Sequence, residues 1–89
     1  MATDTTQPGR GNVVGARVRQ IRRRKSLTMA QLSERIEARS GFEIHQTTLT
    51  RIEQGVRSVY DFEVIALSLA LEVDVRVMLG LIPDEEVKP

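Results

Sequence analysis

The chain has 89 residues, no cysteine and a net charge of +1, which limits it to one small domain without disulfides or thiolate metal sites. No apolar run approaches the roughly 18 residues that a membrane span requires, and the polar N-terminus lacks the pattern of a signal peptide. Residues 1–58 contain 11 basic and 5 acidic residues, whereas residues 59–89 contain 2 and 7. Only the first part therefore has the charge expected of a polyanion binder.

The N-terminal quarter of the chain predicts a flexible arm followed by a helix. Residues 1–11 are polar and contain two glycines and a proline, which is typical of an unstructured arm. Asn12 is a suitable N-cap for a first helix. Val14, Val18 and Ile21 then recur at helical spacing and form its buried stripe.

The second helix has a clear beginning and end. Thr28 and Gln31 have the spacing of a capping box, in which the hydroxyl and the amide each accept a bond from the other residue's main chain. The expected buried face consists of Met29, Leu32 and Ile36. Ser40 and Gly41 mark the end of the helix, and residues 42–44 are expected to form an extended link to the next one.

The third helix, at about residues 46–54, is the most informative segment. Leu49 and Ile52 fall on one side, with Thr48 beside them. The opposite side carries polar residues, namely Gln46, Thr47, Thr50, Arg51 and Gln54. Gly55 is expected to end the helix with a positive φ. The segment taken alone is equally compatible with an ordinary solvated helix face.

Two further helices complete the predicted fold. Asp61 begins an apolar fourth helix, and Asp74 caps a short fifth helix that Gly80 ends. No segment alternates with period two for long enough to predict a strand. We therefore expect an all-α fold of about five helices in residues 12–82, followed by an acidic tail in residues 83–89.

Several ordered motifs resemble the phage-repressor family of helix-turn-helix domains, the Cro-like or xenobiotic-response-element type. The motifs are Gly15-x-x-Val18-x-x-Ile21-Arg22, Leu27-Thr28-x-x-x-Leu32-Ser33 and Thr48-Leu49-Thr50-Arg51-Ile52-Glu53-Gln54-Gly55. The resemblance covers about residues 13–79 and implies a compact, five-helix, lambda-repressor-like domain. The sequence departs from the family in a lengthened connection between helices 2 and 3: the stretch from Leu32 to Gln46 is about six residues longer than usual, which we interpret as a longer second helix and a link at residues 41–44. It also has Met29 where the family often has glutamine and Glu72 where the family prefers glycine.

The resemblance implies that the third helix lies in the major groove of double-stranded DNA. The base-reading residues would then be Gln46, Thr47, Thr50 and Arg51, since glutamine can pair with adenine and arginine with guanine. The residues expected to contact phosphates are Thr28, Met29, Arg57 and Ser58. Solvation or phosphate contact remains an alternative for Thr50. An arm residue, Arg10, either enters a minor groove or stays in solvent.

An arginine and a glutamate at two family positions are expected to have a structural role. The family commonly pairs an arginine at the position of Arg22 with a glutamate at the position of Glu53, so we expect a structural ion pair rather than a catalytic one. The adjacent cations, Arg23 to Lys25, point in different directions and would mainly attract DNA at long range. His45, the only histidine, could cap the third helix or contact phosphate, and no metal site is expected around it.

The sequence suggests a regulator and leaves one alternative. A sequence-specific, DNA-binding transcriptional regulator, most simply a repressor, fits the motifs best, and we expect a cytoplasmic protein of bacterial or phage origin. Val77, Leu81 and Ile82 are candidates for a homodimer contact that would match an inverted repeat. The alternative is a protein-interaction module, antitoxin-like or an adaptor, that holds a partner through this apolar C-terminal patch. No cofactor and no enzymatic activity are expected.

Overall fold

The fold is known from a computed structural model that describes residues 13–84. Five α-helices follow one another: α1 (Gly15–Arg24), α2 (Met29–Ser40), α3 (Gln46–Glu53), α4 (Asp61–Leu71) and α5 (Val75–Met78). No strand occurs in this range, which confirms the predicted all-α, five-helix fold. The proposed arm at residues 1–11, its Arg10, and residues 85–89 of the acidic tail lie outside the described residues.

The helix ends follow local sequence signals. The Thr28 hydroxyl accepts a hydrogen bond from the Gln31 amide at 3.0 Å, and the Gln31 side chain accepts one from the Thr28 amide at 2.8 Å. The predicted capping box is therefore present. Gly55 has a φ of 76° after the end of α3, and the Val56 amide donates to the Arg51 carbonyl at 3.1 Å, which satisfies one of the last carbonyls of the helix.

The first helix begins later than predicted, whereas the third begins at the predicted Gln46. Val14, without a side-chain capping bond, stands before the first residue of α1, Gly15; Asn12, the residue expected to cap this helix, lies outside the described residues. His45 does stand at the N-cap of α3, but its side chain makes no capping hydrogen bond there. Capping is therefore not the role of His45 in this structure.

The core is entirely aliphatic apart from one methionine. Each helix contributes to it, and the fully buried large side chains are Val18, Ile21, Leu32, Ile36, Leu49, Ile52, Leu67, Leu71 and Met78. Met29 is only half-buried at the edge of this core. Because α4 packs along α2 while α3 packs against both α1 and α2, the polar side of α3 is left on the surface.

The lengthened connection between α2 and α3 is held by two contacts. It runs through residues 41–45, and within it Ile44 is buried in the core. The Ser33 hydroxyl of α2 donates a hydrogen bond to the Ile44 carbonyl at 2.8 Å. The start of α3 is thus fixed relative to α2 by a buried side chain and a bonded carbonyl.

Candidate nucleic-acid interface

The polar side of α3 is an exposed surface on a helix that is firmly packed from behind. Leu49 and Ile52 are fully buried, whereas the predicted reading side chains Gln46, Thr47 and Arg51 are exposed. Thr50 is half-buried, and its hydroxyl donates to the Gln46 carbonyl at 3.0 Å, so its oxygen can still accept a bond. The structure therefore brings all four predicted base-reading residues to one surface.

An ion pair holds the carboxyl end of α3 against α1. The Arg22 Nε and Nη2 atoms donate to the two Glu53 carboxylate oxygens at 2.6 and 2.9 Å. The Arg22 Nη1 atom also donates to the Leu27 carbonyl at 2.9 Å. The hydrogen bond to Glu53 raises the pKa of Arg22. The two side chains are only 14% and 5% exposed, so this pair, the one expected from the sequence, joins α1, the following turn and α3.

The amino end of α2 has few groups left to contact a phosphate. The Thr28 amide donates within the capping box, and the Thr28 hydroxyl accepts there, so only its O–H remains to donate to a phosphate. Met29 has no hydrogen-bonding side chain, so a phosphate contact by these two residues depends on that O–H, the Met29 main-chain amide and the helix dipole. The contact proposed for Thr28 and Met29 remains a prediction.

Arg57 binds a buried carboxylate, which the sequence analysis did not predict. Its Nη1 and Nη2 atoms donate to the Glu63 carboxylate at 2.8 and 3.0 Å, and Nη1 also donates to the Ser58 carbonyl at 2.9 Å. The guanidinium lies 5.1 Å from the centre of the Tyr60 ring. Glu63 is 4% exposed, and its hydrogen bonds raise the pKa of Arg57. A phosphate at Arg57 would have to share this guanidinium with Glu63.

One feature of the sequence indicates that the Glu63 carboxylate accepts a hydrogen bond. Glu63 is the third residue of α4, and its carboxylate accepts a hydrogen bond from the amide of Tyr60, which precedes the helix, at 2.9 Å. A glutamate at this position often reaches back to the first free amide of its helix. That position indicates a bonded carboxylate, but it does not reveal the arginine that neutralises it.

A second surface of the protein is apolar. All three aromatic residues of the chain lie on it, and with two aliphatic residues of α4 they form what we name the aromatic face: Phe42, Tyr60, Phe62, Ile65 and Leu69. These side chains are between 40% and 58% exposed. The Phe42 and Phe62 ring centres are 5.0 Å apart, and those of Tyr60 and Phe62 are 6.0 Å apart. Their contact places the α2–α3 connection beside the start of α4.

The three dimer candidates are not equally accessible. Val77 is 6% exposed and belongs to the core, so the expectation that it offers an exposed contact is wrong: it closes the interior of this small domain. Ile82 is half-buried against the same core. Leu81 is 71% exposed and is the one of the three that presents most of its side chain to solvent.

The fold and the exposed polar face of α3 define a helix-turn-helix protein. A family model described as helix-turn-helix matches residues 18–78, which include α2, α3, α4, α5 and most of α1. The chain therefore belongs to the phage-repressor-like helix-turn-helix family, whose members are DNA-binding regulators. No curated protein and no solved structure matches the chain.

No helix between residues 13 and 84 is both long and apolar enough to cross a membrane. The same part of the chain contains no group of three or more histidine, cysteine, aspartate or glutamate side chains that could hold a metal ion.

Proposed function

We propose that the protein is a sequence-specific regulator of transcription, most simply a repressor, that reads double-stranded DNA with α3 in the major groove. The observation that carries this proposal is that Gln46, Thr47 and Arg51 are exposed, with the half-buried Thr50 beside them, on one side of a helix whose other side is buried. Amide and guanidinium groups can each form two hydrogen bonds to a base edge. We expect this regulator to be encoded by a bacterium or by a phage and to act in the cytoplasm.

The side chains on α3 divide into two proposed roles. Gln46 and Arg51 read bases, each providing about 1–3 kcal/mol of discrimination where it pairs with two atoms of a base. Thr47 and Thr50 contribute single contacts beside them. The Thr28 hydroxyl, the Met29 amide and Ser58, together with Arg57, position the domain through phosphates and carry no sequence information.

We also propose that the protein binds an inverted repeat as a homodimer. A two-fold axis places the two copies of α3 about 34 Å apart, one turn of DNA, which is the spacing used by helix-turn-helix dimers. Leu81 is the most exposed apolar residue near the C-terminal end of the domain and is the proposed centre of the contact, with Ile82 at its edge.

A selection of random duplex DNA with the purified protein tests the proposal. We expect an inverted repeat to be enriched, and we expect the Arg51→Ala protein to lose preference at defined base pairs while remaining folded. Thr47→Ala, a smaller change on the same side, should alter fewer positions. Failure of the folded wild-type protein to enrich any sequence at low salt would refute sequence reading by α3.

The aromatic face favours a second candidate function, that of a protein-interaction module such as an antitoxin or an adaptor. Aromatic residues are enriched at the centres of protein interfaces, and here none of them contributes to the core. The two candidates make different demands on α3, because a pure interaction module needs no row of base-reading side chains. If the selection enriches no DNA, this second function becomes the better account.

A further inference from the structure

We propose that Arg19 and Arg23 of α1 together bind a backbone phosphate of the DNA that α3 reads. This inference rests on the proposed function and adds a contact to it that neither the motifs nor the family match assigns. From the sequence alone, Arg23 was expected to be only a solvated charge that attracts DNA at long range. The structure places it in a defined cleft with a second arginine.

The cleft lies between α1 and α3. It has a volume of about 180 Å³ and is lined by Arg19, Arg22, Arg23, Thr50, Glu53 and Gln54. Arg19 and Arg23 are four residues apart on one helix, so their side chains lie on the same side of it. Since a water molecule occupies roughly 30 Å³ in the liquid, the cleft can hold a phosphate group together with a few waters.

The charge in this cleft favours an anion. It contains three guanidinium groups and one carboxylate, and the carboxylate of Glu53 is fully engaged with Arg22. Within residues 13–84, neither Arg19 nor Arg23 forms an ion pair, whereas the neighbouring Arg24 is bound to Asp84 at 2.6 Å. Two positive charges therefore remain uncompensated at this site.

The chemistry of these side chains fits a phosphate. Guanidinium groups present paired donors that match the oxygens of phosphate, and such bonds are stronger than those between neutral groups. Arg19 and Arg23 are exposed, so they can turn towards a ligand without leaving a buried partner. The amide of Gln54, at the end of α3, lines the same cleft and can add a neutral donor.

The position of the cleft indicates a phosphate of the DNA strand at the edge of the groove. Thr50 and Gln54 line the cleft and also belong to the polar side of α3. A ligand held by Arg19 and Arg23 would therefore lie directly beside the bases that α3 contacts. The contact would align α1 with the backbone and carry no sequence information itself.

The test compares two double variants that remove the same charge. The first is Arg19→Gln with Arg23→Gln. The control is Arg39→Gln with Arg76→Gln, because Arg39 is bound to Glu72 and Arg76 to Asp74 and neither lines the cleft. Affinity for the selected operator and for an unrelated duplex is measured over a series of salt concentrations, and the melting temperatures of both variants are recorded.

We expect the Arg19/Arg23 variant to lose affinity for both duplexes by the same factor, while the control changes little. The slope of log affinity against log salt should fall in magnitude by about 0.9 for the one phosphate that is no longer neutralised. Equal behaviour of the two double variants would overturn the inference and leave the proposed function intact. Failure of the wild-type protein to bind either duplex would instead remove the proposed function, and the inference with it.

Free phosphate is the other source of the same ligand chemistry. Titration of the wild-type protein with inorganic phosphate, followed through the NMR signals of the arginine Nε–H groups, separates the two sources. We expect only weak, unsaturated shifts at millimolar phosphate. Saturable binding at Arg19 and Arg23, combined with unchanged DNA affinity in the double variant, would overturn the assignment to the DNA backbone.

Discussion

The polar side of α3 and the aromatic face differ in how each can recognise a partner. On α3 the exposed groups are amides, hydroxyls and a guanidinium, and an Arg22–Glu53 ion pair holds the end of this helix in place. On the aromatic face the exposed groups are rings and aliphatic chains, although α4 has an ion pair of its own, between Glu63 and Arg57. Hydrogen-bonding groups on a fixed helix can discriminate between similar partners, whereas apolar area provides affinity with less direction. The chemistry of the exposed groups therefore favours α3 as the surface that discriminates between partners.

The largest expected effect comes from removing the ion pair that holds α3. Glu53→Ala leaves the Arg22 guanidinium mostly buried without its carboxylate partner, and breaking a buried pair in this way costs about 3–5 kcal/mol of unfolding free energy. Urea denaturation of the variant and the parent measures the difference. In the double variant Arg22→Met with Glu53→Leu, much of the loss should be recovered, because no unpaired charge remains.

Equal midpoints for Glu53→Ala and the parent would show that Leu49, Ile52 and the bonded connection at Ile44 position α3 without the ion pair. The ion pair would then be dispensable for stability, and the selectivity proposed for α3 would not depend on it.

An intermediate effect is expected at the proposed dimer contact. Leu81→Gln should lower the affinity for an inverted repeat by about 100-fold, because linked half-site binding is lost, while affinity for a single half-site stays unchanged. Ile65→Gln, a substitution of equal character on the aromatic face, is the matched control and should leave both affinities as they are. If Ile65→Gln lowered the affinity for the inverted repeat and Leu81→Gln did not, the dimer contact would lie on the aromatic face. Dimerisation would then be the main function of that surface.

The smallest effect concerns backbone strain at two non-glycine residues that follow helices. Ser26 follows α1 with a φ of 57°, and Glu72 follows α4 with a φ of 60°; both conformations favour glycine. Ser26→Gly should raise the unfolding free energy by about 1 kcal/mol, as measured by urea denaturation. Glu72→Gly should raise it less, because it also removes the ion pairs of Glu72 with Arg39 and Arg35.

The pH dependence of Glu72→Gly provides a check on this interpretation. The hydrogen bond from Arg39 lowers the pKa of Glu72, so the pair stabilises the folded state above the ordinary carboxyl pKa. That stabilisation is lost as the pH falls through the lowered pKa. Glu72→Gly should therefore compare more favourably with the parent in acid than at neutral pH, whereas the effect of Ser26→Gly should not change.

Local signals in the sequence were sufficient for the helices and for the polar side of α3. The capping box at Thr28 and Gln31 and the glycine after α3 act within a single turn, so spacing alone reveals them. The Arg22–Glu53 pair joins residues 31 positions apart, and only the resemblance to a known family made it predictable. No local pattern in the sequence shows that the Arg22 guanidinium and the Glu53 carboxylate lie side by side.

Two features could not be predicted from the sequence because they depend on how the chain packs in three dimensions. Arg57 and Glu63 meet across the turn into α4, and nothing in their spacing shows that the carboxylate is buried there. Val77 was a candidate dimer contact because an apolar residue in a short terminal helix can either close the core or remain exposed. The choice depends on how much interior the other four helices leave open, which is a property of the assembled domain.

The absence of rings from the core has a consequence for spectroscopy. The chain has one tyrosine and no tryptophan, and Tyr60 is 58% exposed beneath the Arg57 guanidinium. The intrinsic emission of this protein therefore comes from a single surface chromophore directly before α4. Its signal reports on the contact with Arg57 and on anything that displaces it. Unfolding changes the emission only by breaking such surface contacts, so the melting of the aliphatic interior is better followed by far-ultraviolet circular dichroism.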